Sequence, residues 1–151
     1  MNDITAQKEL VQAHMGSLFE GVEIDTDGDL SIRYGSSRVF VRVHEFAESS
    51  ALAMVFSPVL SNVENTPELR EYVAFAGADY VFGSFLLVER EGNKVDLLMK
   101  HNLLADHLEA NELGFVVAGI ASTCDELDSE LAARFGGEVF HADEAEDAAG
   151  A

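Results

Sequence analysis

Leu113, Val116, Ile120, Cys124, Leu127 and Leu131 recur at intervals of three or four residues, and the run stops at Phe135-Gly136-Gly137. That spacing lines one face of a single long helix. A helix with one apolar face must lay it on another layer of structure, which sets the architecture of the rest of the chain. The helix start is marked twice: Asp106 and Glu109 have the spacing of a capping box, and Asn111 offers a later start.

The apolar layer is legible in the strands that precede it. After a first amphipathic helix from Asp3 to Phe19, with Ile4, Val11, Met15 and Leu18 on one face, Asp3 as its cap and Gly21 as its terminator, the apolar period changes to two. Val22 and Ile24, then Leu30, Ile32 and Tyr34, form a hairpin whose connection holds Asp27-Gly28, a pair suited to the positive φ angles of a type I′ turn. Gly35-Ser36-Ser37 leads into a third strand, with Val39, Val41 and Val43 on one face and Phe40, Arg42, His44 and Phe46 on the other. A fourth strand runs from Ser50 towards Leu60 with Leu52, Met54 and Phe56 on one side; Pro58 lacks an amide donor and marks an edge position or a strand end.

Thr66-Pro67-Glu68 opens a middle helix that runs to Ala76 and ends at Gly77. Val81 to Arg90 and Lys94 to His101 form a second hairpin around Glu91-Gly92-Asn93. The expected fold is α+β, a mainly antiparallel twisted sheet with flanking helices in the order α-β-β-β-β-α-β-β-α. Residues 1–137 form one domain, and residues 138–151, rich in acidic side chains and alanine, form a disordered tail.

Composition narrows the function. The chain has 151 residues, enough for one self-sufficient core, and 28 acidic against nine basic residues give a formal charge of -19. Such a field repels phosphate backbones and anionic membrane surfaces, so neither nucleic acid nor membrane is an expected partner; it also predicts that any polypeptide client is neutral or basic. The one cysteine, Cys124, lies on the apolar helix face and reads as a buried packing residue in a reducing cytoplasm. No basic segment leads into an apolar run at the N-terminus, and no uncharged stretch reaches the roughly 18 residues of a membrane span.

Chemical motifs are weak throughout. Asp25-Thr26-Asp27-Gly28-Asp29 has the alternating carboxylates of a calcium loop, but an EF-hand starting at Asp25 needs Gly and Glu where Leu30 and Ser36 stand. His101, Asp106 and His107 cluster in sequence without the spacing of a metal motif. There is no G-x-S-x-G elbow, P-loop, G-x-G-x-x-G or H-E-x-x-H. No catalytic residue, cofactor or metal is expected.

The one constellation that suggests recognition is Phe40, Arg42, His44 and Phe46, aromatics interleaved with cations on a sheet face opposite three valines. Such a face is able to hold a partner segment; the alternative is that helices cover both faces of the sheet.

The element order over residues 4–137 resembles the YbjN and type III secretion chaperone-like family. Thr66-Pro67-Glu68-Leu69 at the middle helix, Asn102-Leu103-Leu104 after the last strand, and Asp125-Glu126-Leu127 leading through Leu131 to Phe135-Gly136-Gly137 are similar to recurrent features of that family. The resemblance implies a non-enzymatic, homodimeric, peptide-binding domain with a polypeptide or protein client and no cofactor. Two other readings are a constitutive structural interaction module and a small-ligand or enzymatic domain whose site assembles only in three dimensions; a deep closed pocket with convergent polar groups would mark the latter.

Overall fold

The 26-residue helix expected at the end of the chain is present as α3 (Ala110–Phe135), and everything else is arranged around the sheet it lies on. The computed structural model describes residues 3–140. Before α3 come α1 (Thr5–Leu18), β1 (Glu23–Ile24), β2 (Leu30–Tyr34), β3 (Ser37–Glu45), β4 (Ala51–Glu64), α2 (Pro67–Ala76), a 3₁₀ turn (Gly77–Asp79), β5 (Ser84–Arg90) and β6 (Lys94–Leu104); β7 (Glu138–Val139) follows it. The strands form one antiparallel sheet in the order β1-β2-β3-β4-β6-β5, with β7 beside β4. The fold is α+β with a mainly antiparallel open sheet, as the sequence pattern implies.

Alternation along the strands separates the two faces. Val39, Val41, Ala51, Ala53, Val55, Leu97 and Met99 are buried and meet Leu113, Val117, Ile120, Cys124 and Leu131 of α3, with Val11 and Met15 of α1 in the same cluster. Alanines at 51 and 53 of the central strand have little side chain to hold a helix away. Leu69 of α2 joins this core, and Tyr72 packs on Phe85, which faces the same way, so the three helices all lie on one side of the sheet.

Several local features differ from the sequence expectation. Only Gly28 takes a positive φ in the β1–β2 connection, so the turn is not type I′, which needs the left-handed region at both central residues. Instead the Asp25 carboxylate accepts the amides of Asp27 and Asp29, each at 2.9 Å, and its carbonyl accepts Gly28 N–H. Asp106 does not cap α3. It accepts Gln7 Nε2 at 3.0 Å, and the helix begins four residues later. The middle helix, by contrast, runs to Ala76 and ends at Gly77 as expected, the chain tightening there into the 3₁₀ turn with φ -58°.

Pro58 does not end β4. The ladder with β3 reaches only to Phe40 opposite Phe56, so Pro58 lies where β4 has lost that neighbour; the strand continues through register shifts to Glu64, paired with β6 throughout and with β7 at Leu60 and Ser61. Glu138 and Val139, expected in the tail, are therefore part of the sheet, and residues 141–151 of that expected tail lie outside the described residues.

The β2–β3 turn is fastened to α3. Asp125 Oδ1 accepts both the amide (2.9 Å) and the hydroxyl (3.0 Å) of Ser36, whose hydroxyl also contacts the buried carboxylate of Asp128. Ser37 Oγ reaches the Ala121 carbonyl at 3.1 Å. Gly35 has φ +56°, and a Cβ there would fall 2.1 Å from Asp125 Oδ1, so both backbone and space require glycine.

Candidate functional site

With the helices gathered on one side, the opposite side of the sheet carries the even-numbered residues of β3, β4 and β6. Cross-strand register sets them in rows: Phe40 beside Phe56 beside Lys100, then Arg42 beside Met54 beside Asn102, then His44 beside Leu52 beside Leu104. Phe40, Leu52, Met54 and Phe56 are half-buried, and Leu104 is 60% exposed. Among the described residues no helix covers this face.

Phe40 and Phe56 stack at 5.2 Å with 14° between their planes, and Phe140 meets Phe40 edge-on at 6.2 Å. Arg42 lies 5.4 Å above the Phe56 ring. It is held there by the buried Asp29 carboxylate, which accepts Nε at 2.9 Å and Nη2 at 2.6 Å. That fork pushes the already high guanidinium pKa upward, so Arg42 is a permanent cation in a fixed orientation. The calcium-like loop is thereby accounted for: Asp25 binds its own backbone and Asp29 binds Arg42.

Of the four residues singled out in the sequence, the structure brings Phe40 and Arg42 together around Phe56. His44 sits at the end of the same face with Nδ1 3.0 Å from the Glu45 carbonyl. Phe46 lies past the end of β3, 61% exposed, its amide bonded to the Ser50 carbonyl in the turn to β4. What sequence reasoning missed is Phe56, Met54, Leu98 and Lys100. The period of two in β4 and β6 carried the signal, but their neighbourhood depends on a β4–β6 pairing that spans α2 and β5.

The face ends in an incomplete edge. The β2–β3 ladder stops at Leu30 opposite Val41, so that among the described residues Arg42 to Glu45 pair only with β4. A cleft of about 390 Å³ opens there, lined by Ile24, Leu30, Val43, His44 and, from α1, Lys8 and Gln12. Two other clefts lie among the helices: about 310 Å³ around Leu18, Phe19, Gly114 and Phe115, and about 460 Å³ around Tyr72, Phe75, Asp79 and Arg134. Burial pushes the Tyr72 phenol up to about 12 and raises Tyr80 as well. Cys124 is fully enclosed beneath α3, and burial raises its thiol to about 11. The histidines diverge: His101 Nδ1 accepts the Gly83 amide at 3.2 Å, His14 Nε2 meets the Leu108 carbonyl at 2.8 Å, and His107 is exposed. Among the described residues no His, Cys, Asp and Glu side chains converge as a metal site.

An open antiparallel sheet with a long helix on one face, an aromatic opposite face and an unfinished edge is a framework for holding an extended chain. Residues 5–143 match the model of the T3SS (YopN, CesT) and YbjN peptide-binding chaperone 1 family. The chain belongs to that family. Its members are non-enzymatic peptide-binding chaperones. Solved structures agree on the fold: the ExsC–ExsE complex is matched with TM-score 0.56 at 16% identity over 85% of this chain and 96% of that one. YbjN from E. coli, described as a putative transcription regulator, is matched with TM-score 0.54 at 10% identity over 82% and 92%. No curated protein sequence matches the chain. No helix among the described residues is long and apolar enough to cross a membrane.

Proposed function

We propose that this protein is a homodimeric cytoplasmic chaperone that holds a polypeptide segment on the helix-free face of its sheet. One observation carries the reading: all three helices pack on one side, leaving a stacked aromatic pair, Met54 and Arg42 on the other. Phe40 and Arg42 form the centre of the contact, and His44 and Phe46 extend it to the unfinished edge of β3. There Arg42 to Glu45 have backbone groups available for strand addition, which supplies affinity independent of side-chain sequence. Each aromatic newly covered contributes roughly 1.5–3 kcal/mol by area removed from water. The ExsC–ExsE structure is a complex in which one chain has this fold, which supports a protein partner.

The test uses a reduced, unfolded model protein whose aggregation is followed by light scattering, with oligomeric state measured by sedimentation. The full chain should sediment as a dimer and suppress scattering. A Phe40→Ser/Phe46→Ser variant should keep the dimer and lose most of the suppression. A monomer, or equal suppression by a folded variant, would overturn the proposal.

A further inference from the structure

A quarter of the residues in this chain are charged, yet residues 10–19, which end α1, and residues 113–124, within α3, contain no Asp, Glu, Lys or Arg. The carboxylates that bound these runs stand at their ends, Glu9 and Glu20 on one and Glu112 and Asp125 on the other. The two runs lie side by side: a Cβ at Gly114 would fall 3.2 Å from the end of Leu18, and His14 Nε2 reaches the Leu108 carbonyl just ahead of α3. Burial does not account for the missing charge. Ala13, Ser17, Leu18 and Ala118 are exposed, and Phe115 is 66% exposed. A helix without charge on its solvent side is ordinarily covered. Between Leu18 and Phe115 lies the cleft of about 310 Å³, and the one polar side chain in its wall is Asn111.

We infer that two copies of the chain meet on this α1–α3 surface, each inserting Phe115 into the cleft of the other. The inference rests on the homodimeric reading and adds the interface. Charge decides the occupant. Each copy carries a formal charge of -19, so two copies that approach with carboxylates opposed repel one another. A basic partner would be drawn to the carboxylates, whereas a second acidic body is best met where they are missing. Shape agrees with this choice. A two-fold contact uses the same patch on both copies, so the patch must supply both a projection and a recess, and Phe115 stands beside the cleft it would fill in its partner. A cavity of about 150 Å³ already admits a benzene ring, so the cleft has room for the side chain. Residues 141–151 of the same chain hold no large apolar side chain and four carboxylates, which does not suit them to this cleft. The surface lies on the helical side, opposite Phe40 and Phe56, so a dimer built on it leaves both aromatic sheet faces open.

The experiment is sedimentation equilibrium of the full-length protein at low and high sodium chloride, with circular dichroism as the check on folding. The parent dimer should tighten at least threefold as salt rises, because the contact contains no ion pair and the long-range force between the copies is repulsive. Phe115→Glu should weaken dimerisation about a hundredfold or more, with helical circular dichroism and suppression of scattering per chain both within about twofold of the parent. Ala118→Leu, which narrows the recess without adding charge, should weaken it at least tenfold and keeps the test in hand if Phe115→Glu fails to fold. A parent dimer that both variants leave within threefold would overturn the inference and place the homodimer contact elsewhere. A dimer that loosens as salt rises would also overturn it, since that is the mark of an ion-paired contact. If Phe115→Glu kept the dimer but lost suppression of scattering, the cleft would belong to the client and the inference would fall. A monomeric parent would remove the homodimeric reading beneath it.

Discussion

Gly35 and Cys124 show how single residues hold this fold, each by a different physics. Gly35 combines φ +56° with a Cβ position inside the Asp125 carboxylate, so Gly35→Ala must both strain the backbone and displace the group that fastens the β2–β3 turn. We expect a loss of about 2–3 kcal/mol, read from the urea midpoint. The sequence marks Gly35-Ser36-Ser37 as a turn, but nothing in it names Asp125 as the partner, 89 residues away. Cys124 was legible from its place on the helix stripe. Because its thiol is raised from 9.0 to about 11 by burial, the folded chain keeps a proton that the unfolded chain releases above pH 9. Stability is therefore fully present below about pH 9 and falls as pH rises towards 11, by up to about 2 kcal/mol from this group. Urea titrations at pH 8 and 10.5 should show a smaller pH loss in Cys124→Ala than in the parent, and Cys124→Ser should leave peptide capture unchanged.

At the scale of elements, the start of α2 is legible in the local sequence, whereas the turn at Asp25–Asp29 and the long-range strand pairing are not. Thr66 does cap α2, accepting Leu69 N–H at 3.2 Å, and Pro67 fills the first helical position as its missing donor allows. Thr66→Ala should cost about 1 kcal/mol by thermal denaturation. On α3 the apolar period located the core face, yet the buried set also contains Asp128, which the period cannot reveal because its reason is Ser36 on another element. Leu127 is half-buried against the same cluster, so a second carboxylate at Leu127→Asp would sit one residue from Asp128 and lose apolar contact. A loss of several kcal/mol is expected, seen as lost helical circular dichroism or dissociation. Pro58 marks an edge rather than the end of β4: a missing amide matters only where a neighbour strand needs it, and β3 no longer pairs at that point. The aromatic site was half-legible for the same reason. Alternation within β3 exposed Phe40 and Arg42, whereas Phe56 and Lys100 become their neighbours only through pairings that alternation within one strand does not encode.

Taken whole, the molecule divides into a helical side and an aromatic sheet side, and the segment after α3 closes the boundary between them. After α3, Gly136 and Gly137 take φ +80° and +82°, and at Gly137 a Cβ would lie 2.8 Å from the Ser61 carbonyl, so the glycine pair turns the chain tightly against β4. Val139 then pairs with Leu60, and Phe140 places its ring edge on Phe40. This strand covers β4 where β3 has left it, so the segment after α3 completes a sheet edge that would otherwise offer bare backbone groups. A chain ending at Gly137 should lose about 1–2 kcal/mol, a fall of roughly 3–8 °C in Tm, and should self-associate more readily than the parent by light scattering. A chain ending at Phe140 should melt above the chain ending at Gly137, because it retains both contacts. Equal melting of the two truncated chains would show that β7 contributes nothing to stability and that the aromatic face stands without Phe140.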